Sequence, residues 1–216
     1  MKTLSKNMDE SHAASLENAR QEIEDLLLKK ESEPAHTRHV AHLALQIFDQ
    51  LVYRHGLGAR ERIALEFAAL LHDTGWSESP DGGQHHKYSF WIILRTPWKK
   101  ISEKDILLIA LTARYHRKSL PRKDHEGFSL LDHGEQKVVW ILGGILRLAD
   151  ALDRQHLQGI RSVAIQDDSA RLCLSSPFDE IGQQEILALE KKKNMFEKAF
   201  GLPLFILNPV LHLPRK

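Results

Sequence analysis

The strongest constraint on this chain is an acid inside an apolar run. Val138, Val139, Ile141, Leu142, Ile145, Leu146, Leu148 and Ala149 recur at helical spacing. They predict a long helix from about Gly134 to Asp153, apolar along most of one side. Asp150 lies within that run. A carboxylate in apolar surroundings costs several kcal/mol unless it is compensated by an ion or by hydrogen bonds. Arg147, one turn earlier, offers one compensation, and a metal ion offers another.

A second apolar run raises the same question. Residues Ala64 to Leu71 end in His72-Asp73-Thr74-Gly75. Imidazole and carboxylate together suit a divalent ion that takes mixed nitrogen and oxygen donors. At a helix end the two side chains can turn toward one ion, although histidine is also favoured there by the helix dipole. His36 opens a further helix after Pro34, in His36-Thr37-Arg38-His39-Val40. His86 and His116 fall at a helix start and a helix end. The chain has 13 histidines, scattered along its length, so a search for ligands is justified.

The remaining segments predict a mostly α chain. Residues 1–12 are polar and without periodicity and are expected to be disordered. Leu16, Ala19, Ile23, Leu26 and Leu27 mark a helix ending near Lys30. Val40, Leu43, Ala44, Ile47, Phe48 and Leu51 mark the next, closed by Gly56 and Gly58. A third runs from Ala59 to Asp73, and a loop by composition occupies 77–83. A fourth covers about His86 to Arg95. Ser102 and Asp105 form a variant capping box before a fifth, Ile106 to about Tyr115. Leu43, Ile47, Phe67, Leu71, Leu142 and Leu146 are expected to share one core.

After Gly159 the pattern alternates. Residues 160–165 and 171–174 read as a hairpin around Asp167-Asp168-Ser169. A helix from about Gln183 to Phe200 and a strand at 202–207 follow. The expected division is a helical body over 13–158 and a small β-β-α-β appendage over 159–216. An exposed strand edge there would pair chains into a homodimer.

Charge excludes some partners. With 30 basic and 29 acidic residues, nothing draws the chain toward nucleic acid or anionic membrane. A single cysteine rules out an internal disulfide and fits a cytoplasmic location. No stretch is apolar enough to span a bilayer.

The order His36 … His72-Asp73 … Asp150 resembles the signature of the HD superfamily of metal-dependent phosphohydrolases. His85-His86-Lys87-Tyr88-Ser89, Ala113 to Ser119, Leu146 to Arg154 and Lys193 to Leu204 resemble the C-terminal HD domain of the exopolyphosphatase / guanosine pentaphosphate phosphohydrolase family. The likeness covers about Arg20 to Leu207. In that family the known exopolyphosphatase site lies in N-terminal actin-like domains with glycine-rich phosphate loops. No such loop occurs here, so the resemblance implies an HD domain standing alone.

The resemblance implies a helical HD bundle and a divalent ion (manganese, magnesium, zinc, iron or cobalt) on His36, His72, Asp73 and Asp150. His72, Asp73, His86 and His116 would serve catalysis. Lys87, Arg117, Lys118 and Arg147 would hold a phosphate-containing small molecule. The expected activity is hydrolysis of a nucleotide, polyphosphate or other phosphoester. The alternative is a regulatory module that binds nucleotide or polyphosphate without turnover.

Overall fold

The computed structural model describes residues 2–79, 81–168, 171–177 and 179–207, with side chains from residue 13 onward. Helices dominate: α1 (Lys2–Lys30), α2 (Pro34–Gln50), α3 (Val52–His55), α4 (Ala59–Leu71), α5 (His85–Arg95), α6 (Glu103–Arg114), α7 (His133–Leu152), α8 (Gln183–Lys192) and α9 (Asn194–Phe200). Three short strands, β1 (Ala164–Asp167), β2 (Leu172–Ser175) and β3 (Leu204–Leu207), form one sheet. The chain is mostly α with a small C-terminal sheet. Among the described residues no helix is long and apolar enough to cross a membrane.

Helix α7 is the axis of the bundle. Its first turn is locked by a capping box, in which Asp132 accepts from the Glu135 N–H at 2.8 Å and Glu135 accepts from the Asp132 N–H at 3.2 Å. Helices α2, α4 and α6 pack on it from the body, and α8 and α9 from the C-terminal side. Leu43, Ile47, Phe67, Leu71, Leu142 and Leu146 are all buried in one cluster. Each such apolar side chain contributes about 1.5–3 kcal/mol. The α7–α9 contact is closest at Gly144, where a Cβ would lie 2.9 Å from the Phe196 Cα.

Several boundaries differ from those the sequence predicts. Helix α1 begins at Lys2 rather than after residue 12. Residues 2–12 contain neither glycine nor proline, so no local signal stops a helix already set by its apolar second half. Helix α4 ends at Leu71, and Thr74–Glu78 is a 3-10 helix where loop was expected from residue 77. The single C-terminal helix is two, α8 and α9, joined through Lys193. Strands β1 and β2 pair antiparallel with Ala164 opposite Ser175. Strand β3 adds parallel to β2, Leu204 opposite Leu172, and α8 and α9 form the crossover. Ser169 of the hairpin turn and the expected appendage end at 208–216 lie outside the described residues.

Candidate metal centre

One construction rule recurs around the centre. His72 Nδ1 donates to the Ala69 carbonyl at 2.7 Å, His85 Nδ1 to Gly82 at 2.8 Å, and His116 Nδ1 to Ala113 at 2.7 Å. Each ring reaches back three residues to a carbonyl at a helix end or turn, where backbone acceptors lack helical partners. A carbonyl can only accept, so Nδ1 carries a proton, and whenever the ring is neutral its lone pair is on Nε2. His36 reaches the same state through a carboxylate, with Nδ1 2.8 Å from Asp153 Oδ2. Four buried imidazoles thus have one tautomer, fixed from outside the site.

Their Nε2 atoms converge on two carboxylates. His36 Nε2 lies 3.7 Å from Asp150 Oδ1, and His72 Nε2 3.6 Å from Asp73 Oδ2. His85 Nε2 and His116 Nε2 lie 3.2 and 3.4 Å from Asp73 Oδ1, and 3.3 Å from each other. His36, His72 and Asp150 form one compact donor group, and His72, Asp73 and His116 another. The Nε2 atoms of His36 and His72 and Oδ1 of Asp73 are buried without a hydrogen-bond partner. Lone pairs facing carboxylate oxygens at such distances repel unless a proton or a metal ion lies between them. The donor set fits a divalent ion.

The electrostatics agree. Burial pushes the Asp73 carboxyl up, but His72, His85 and His116 outweigh it and hold the group well below the usual range. Burial likewise raises Asp150, and the Lys192 ammonium, bonded to Oδ2, more than reverses it with help from His72 and His116. His116 is driven well below the ordinary histidine value by burial and by His72. The result is ionised carboxylates and a neutral imidazole, the forms that ligate metals. Glu31, where α1 gives way to α2, is raised by burial and has an unpartnered Oε2.

The backbone around Asp73 is clamped. Ser89 on α5 donates to the His72 carbonyl at 2.6 Å and accepts from the Gly75 N–H at 2.9 Å. The turn at Gly82, with φ of 64°, returns the chain so that α5 starts with His85 beside Asp73. Trp76 stacks on His85, with centroids 4.3 Å apart.

The centre opens into a cleft of about 640 Å³. Asp73, His85, His116 and Asp150 form its floor. Arg117, Arg154, Lys191 and Lys192 supply positive charge along its walls. Arg117 lies against the His85 ring, its guanidinium 3.1 Å from Nε2, while among the described residues Arg154 and Lys191 have no carboxylate partner and leave their charge available to an anion.

The structure brings His36, His72, Asp73, His116 and Asp150 together and places Arg117 on the wall. It distributes the other predicted residues differently. His86 is not part of the cleft lining, and its pKa is lowered to about 3, above all by burial; His85 takes the inward position. Lys87 is exposed outside the cleft, and Lys118 is turned to the Gly83 carbonyl. Arg147 is neither a substrate cation nor the partner of Asp150. It is buried and donates to the carbonyls of Tyr115, Lys118 and Ser119 at 2.7, 2.8 and 2.9 Å. Burial lowers its pKa to about 10. Its role is to tie the chain after α6 to α7. His85, Asp153, Arg154, Lys191 and Lys192 were not singled out from sequence. Asp153 carried a usable signal, since it shares a helical face with Asp150 three residues earlier.

These features define a helical domain built around a buried histidine–carboxylate centre. The chain belongs to the family described as Ppx/GppA phosphatase, domain III, whose model matches residues 20–193. That match spans every residue of the centre and the whole of the cleft.

Proposed function

We propose that this chain is an HD-type, metal-dependent phosphohydrolase acting on a nucleotide, polyphosphate or other phosphoester. The observation that carries the reading is the convergence of four Nε2 lone pairs, each fixed by an outward Nδ1 proton, on two ionised carboxylates. His36, His72, Asp73 and Asp150 would hold a divalent ion, with His85 and His116 completing the donor set on the far side of Asp73. When bound, the ion polarises a phosphoryl oxygen and acidifies a water molecule. Arg117, Arg154 and Lys191 bind the phosphate-containing small molecule, with Arg able to grip it through two N–H groups. Lys192 holds Asp150 by one oxygen and leaves the other facing His36. Asp153 and the three backbone carbonyls keep the imidazoles oriented.

The match to a third domain of a phosphatase family favours a second reading, a regulatory module that binds nucleotide or polyphosphate without turnover. Metal analysis of the purified chain, followed by phosphate release from a panel of phosphoesters and phosphoanhydrides, separates the two. The enzyme reading expects bound metal and release, and the module expects tight binding with no release. Asp73→Ala is expected to abolish tight metal binding and turnover, and to remove the stabilisation produced by added metal. Full metal occupancy and activity in that variant would overturn the metal site.

A further inference from the structure

One wall of the cleft does not belong to the helical body. Gln184, Leu187, Ala188, Lys191 and Lys192 all line the cavity, and all lie on α8. Their spacing is i, i+3, i+4, i+7 and i+8, a single helical face. Leu189 points the other way and is fully buried. The cleft face of α8 has two parts. Its C-terminal turn carries the two lysines, nearest Asp150. Its middle carries Leu187, which is 47% exposed.

A solvent-exposed leucine alone is ordinary. This one shares a concave surface with Trp76, itself 48% exposed. The indole is held by its stack on His85 and by Gly82, where a Cβ would come within 1.8 Å of the ring. An aromatic surface fixed in this way loses little entropy on contacting a ligand. The cleft is also much larger than one phosphate group needs, and lies in the size range of sites for small organic ligands.

We infer that α8 is the specificity wall. Lys191 and Arg154 take the phosphates, while Leu187, Ala188 and Trp76 take a flat, partly apolar group attached to them. The preferred substrate class is then an organic phosphate with a ring system, such as a nucleotide, and not a purely inorganic chain. An inorganic polyphosphate would leave Leu187 and Trp76 wet and would gain nothing from either. This inference rests on the phosphohydrolase reading above.

The test compares ATP with inorganic tripolyphosphate on the manganese-loaded full chain. It measures kcat/KM and, separately, calorimetric binding of tripolyphosphate and of a non-hydrolysable ATP analogue. Leu187→Asn removes apolar contact at an exposed position and should leave the fold intact. It is expected to lower the nucleotide-to-tripolyphosphate ratio about tenfold, in both turnover and binding. Lys191→Ala is expected to weaken both ligands together and leave the ratio unchanged. An unchanged ratio in Leu187→Asn, or tighter binding of tripolyphosphate than of the nucleotide analogue by the unmodified chain, overturns the inference. If nothing is turned over, the hydrolase reading fails, and the calorimetric ratio still decides the role of α8.

Discussion

The floor and the α8 wall of the cleft are built on opposite plans. On the floor every imidazole is buried and held by a second partner behind it. On the wall Leu187 and Lys191 are exposed, and Lys191 has no carboxylate partner among the described residues. A floor of this kind sets geometry and protonation before any ligand arrives, at the cost of several buried polar groups. A wall of this kind sets affinity, and its residues can change without disturbing the fold. The difference separates the groups that perform chemistry from those that choose what undergoes it.

The comparison can be broken most forcefully at Arg147. It supports the floor without lining the cleft, so Arg147→Met should take the donor away from the buried Tyr115 carbonyl and from the part-buried carbonyls of Lys118 and Ser119. An expected loss of about 2–4 kcal/mol in chemical denaturation follows. A loss under about 0.5 kcal/mol would mean that the floor is not rigidly backed.

Asp153→Asn comes next. It keeps a hydrogen-bond acceptor beside His36 but removes the charge, and should weaken metal affinity about 10–100-fold in a competition titration. Unchanged affinity would show that His36 needs no fixed orientation.

On the wall, Lys191→Ala should raise KM about two- to tenfold, with the effect shrinking as salt is added, and should leave the melting temperature in place. A stability loss comparable to that of Arg147→Met would erase the distinction between wall and floor.

The smallest effect separates acid damage to the site from acid damage to the scaffold. His55 is not among the residues lining the cleft and lies at the end of α3. Its Nε2–H donates to Phe48 O at 3.0 Å, and its Nδ1 accepts from the Leu57 N–H at 2.9 Å. Only the neutral ring can do both, and burial holds its pKa below the ordinary value of 6.5. The unfolded chain therefore takes up the proton first. The stabilisation is complete above the unfolded pKa and is lost as pH falls through the depressed folded value. His55→Gln can make the same two bonds without titrating. It should flatten the acid limb of the stability profile by about 0.5–1.5 kcal/mol while leaving metal affinity alone.

The floor was largely legible in the sequence because its residues violate local pattern. Asp150 is an acid in an apolar stripe, and His72-Asp73 ends an apolar run. The body helices were legible for the opposite reason, since their stripes follow the helical period. What could not be read was which of two adjacent histidines faces inward. That choice is made by the turn at Gly82 and by a carbonyl three residues before His85, and both depend on backbone conformation. The wall was illegible because a helix rich in lysine and glutamate looks like any solvated helix until a cavity is seen beside it. Arg147 misled because its true partners are backbone carbonyls, which leave no mark in a sequence.

The two glycines in the middle of α7 acquire a meaning from this arrangement. Gly144 lets α9 approach until backbone nearly touches backbone, and a Cβ at Gly143 would meet the Met195 side chain at 2.6 Å. Helix α8 is joined to α9 through Lys193, and Asp150 is on the same helix as the glycines, fewer than two turns away. The jaw spacing of the cleft is thus fixed like a caliper, by a pivot on its far side. A single methyl group at Gly144 would reset the aperture without altering any residue that a substrate touches.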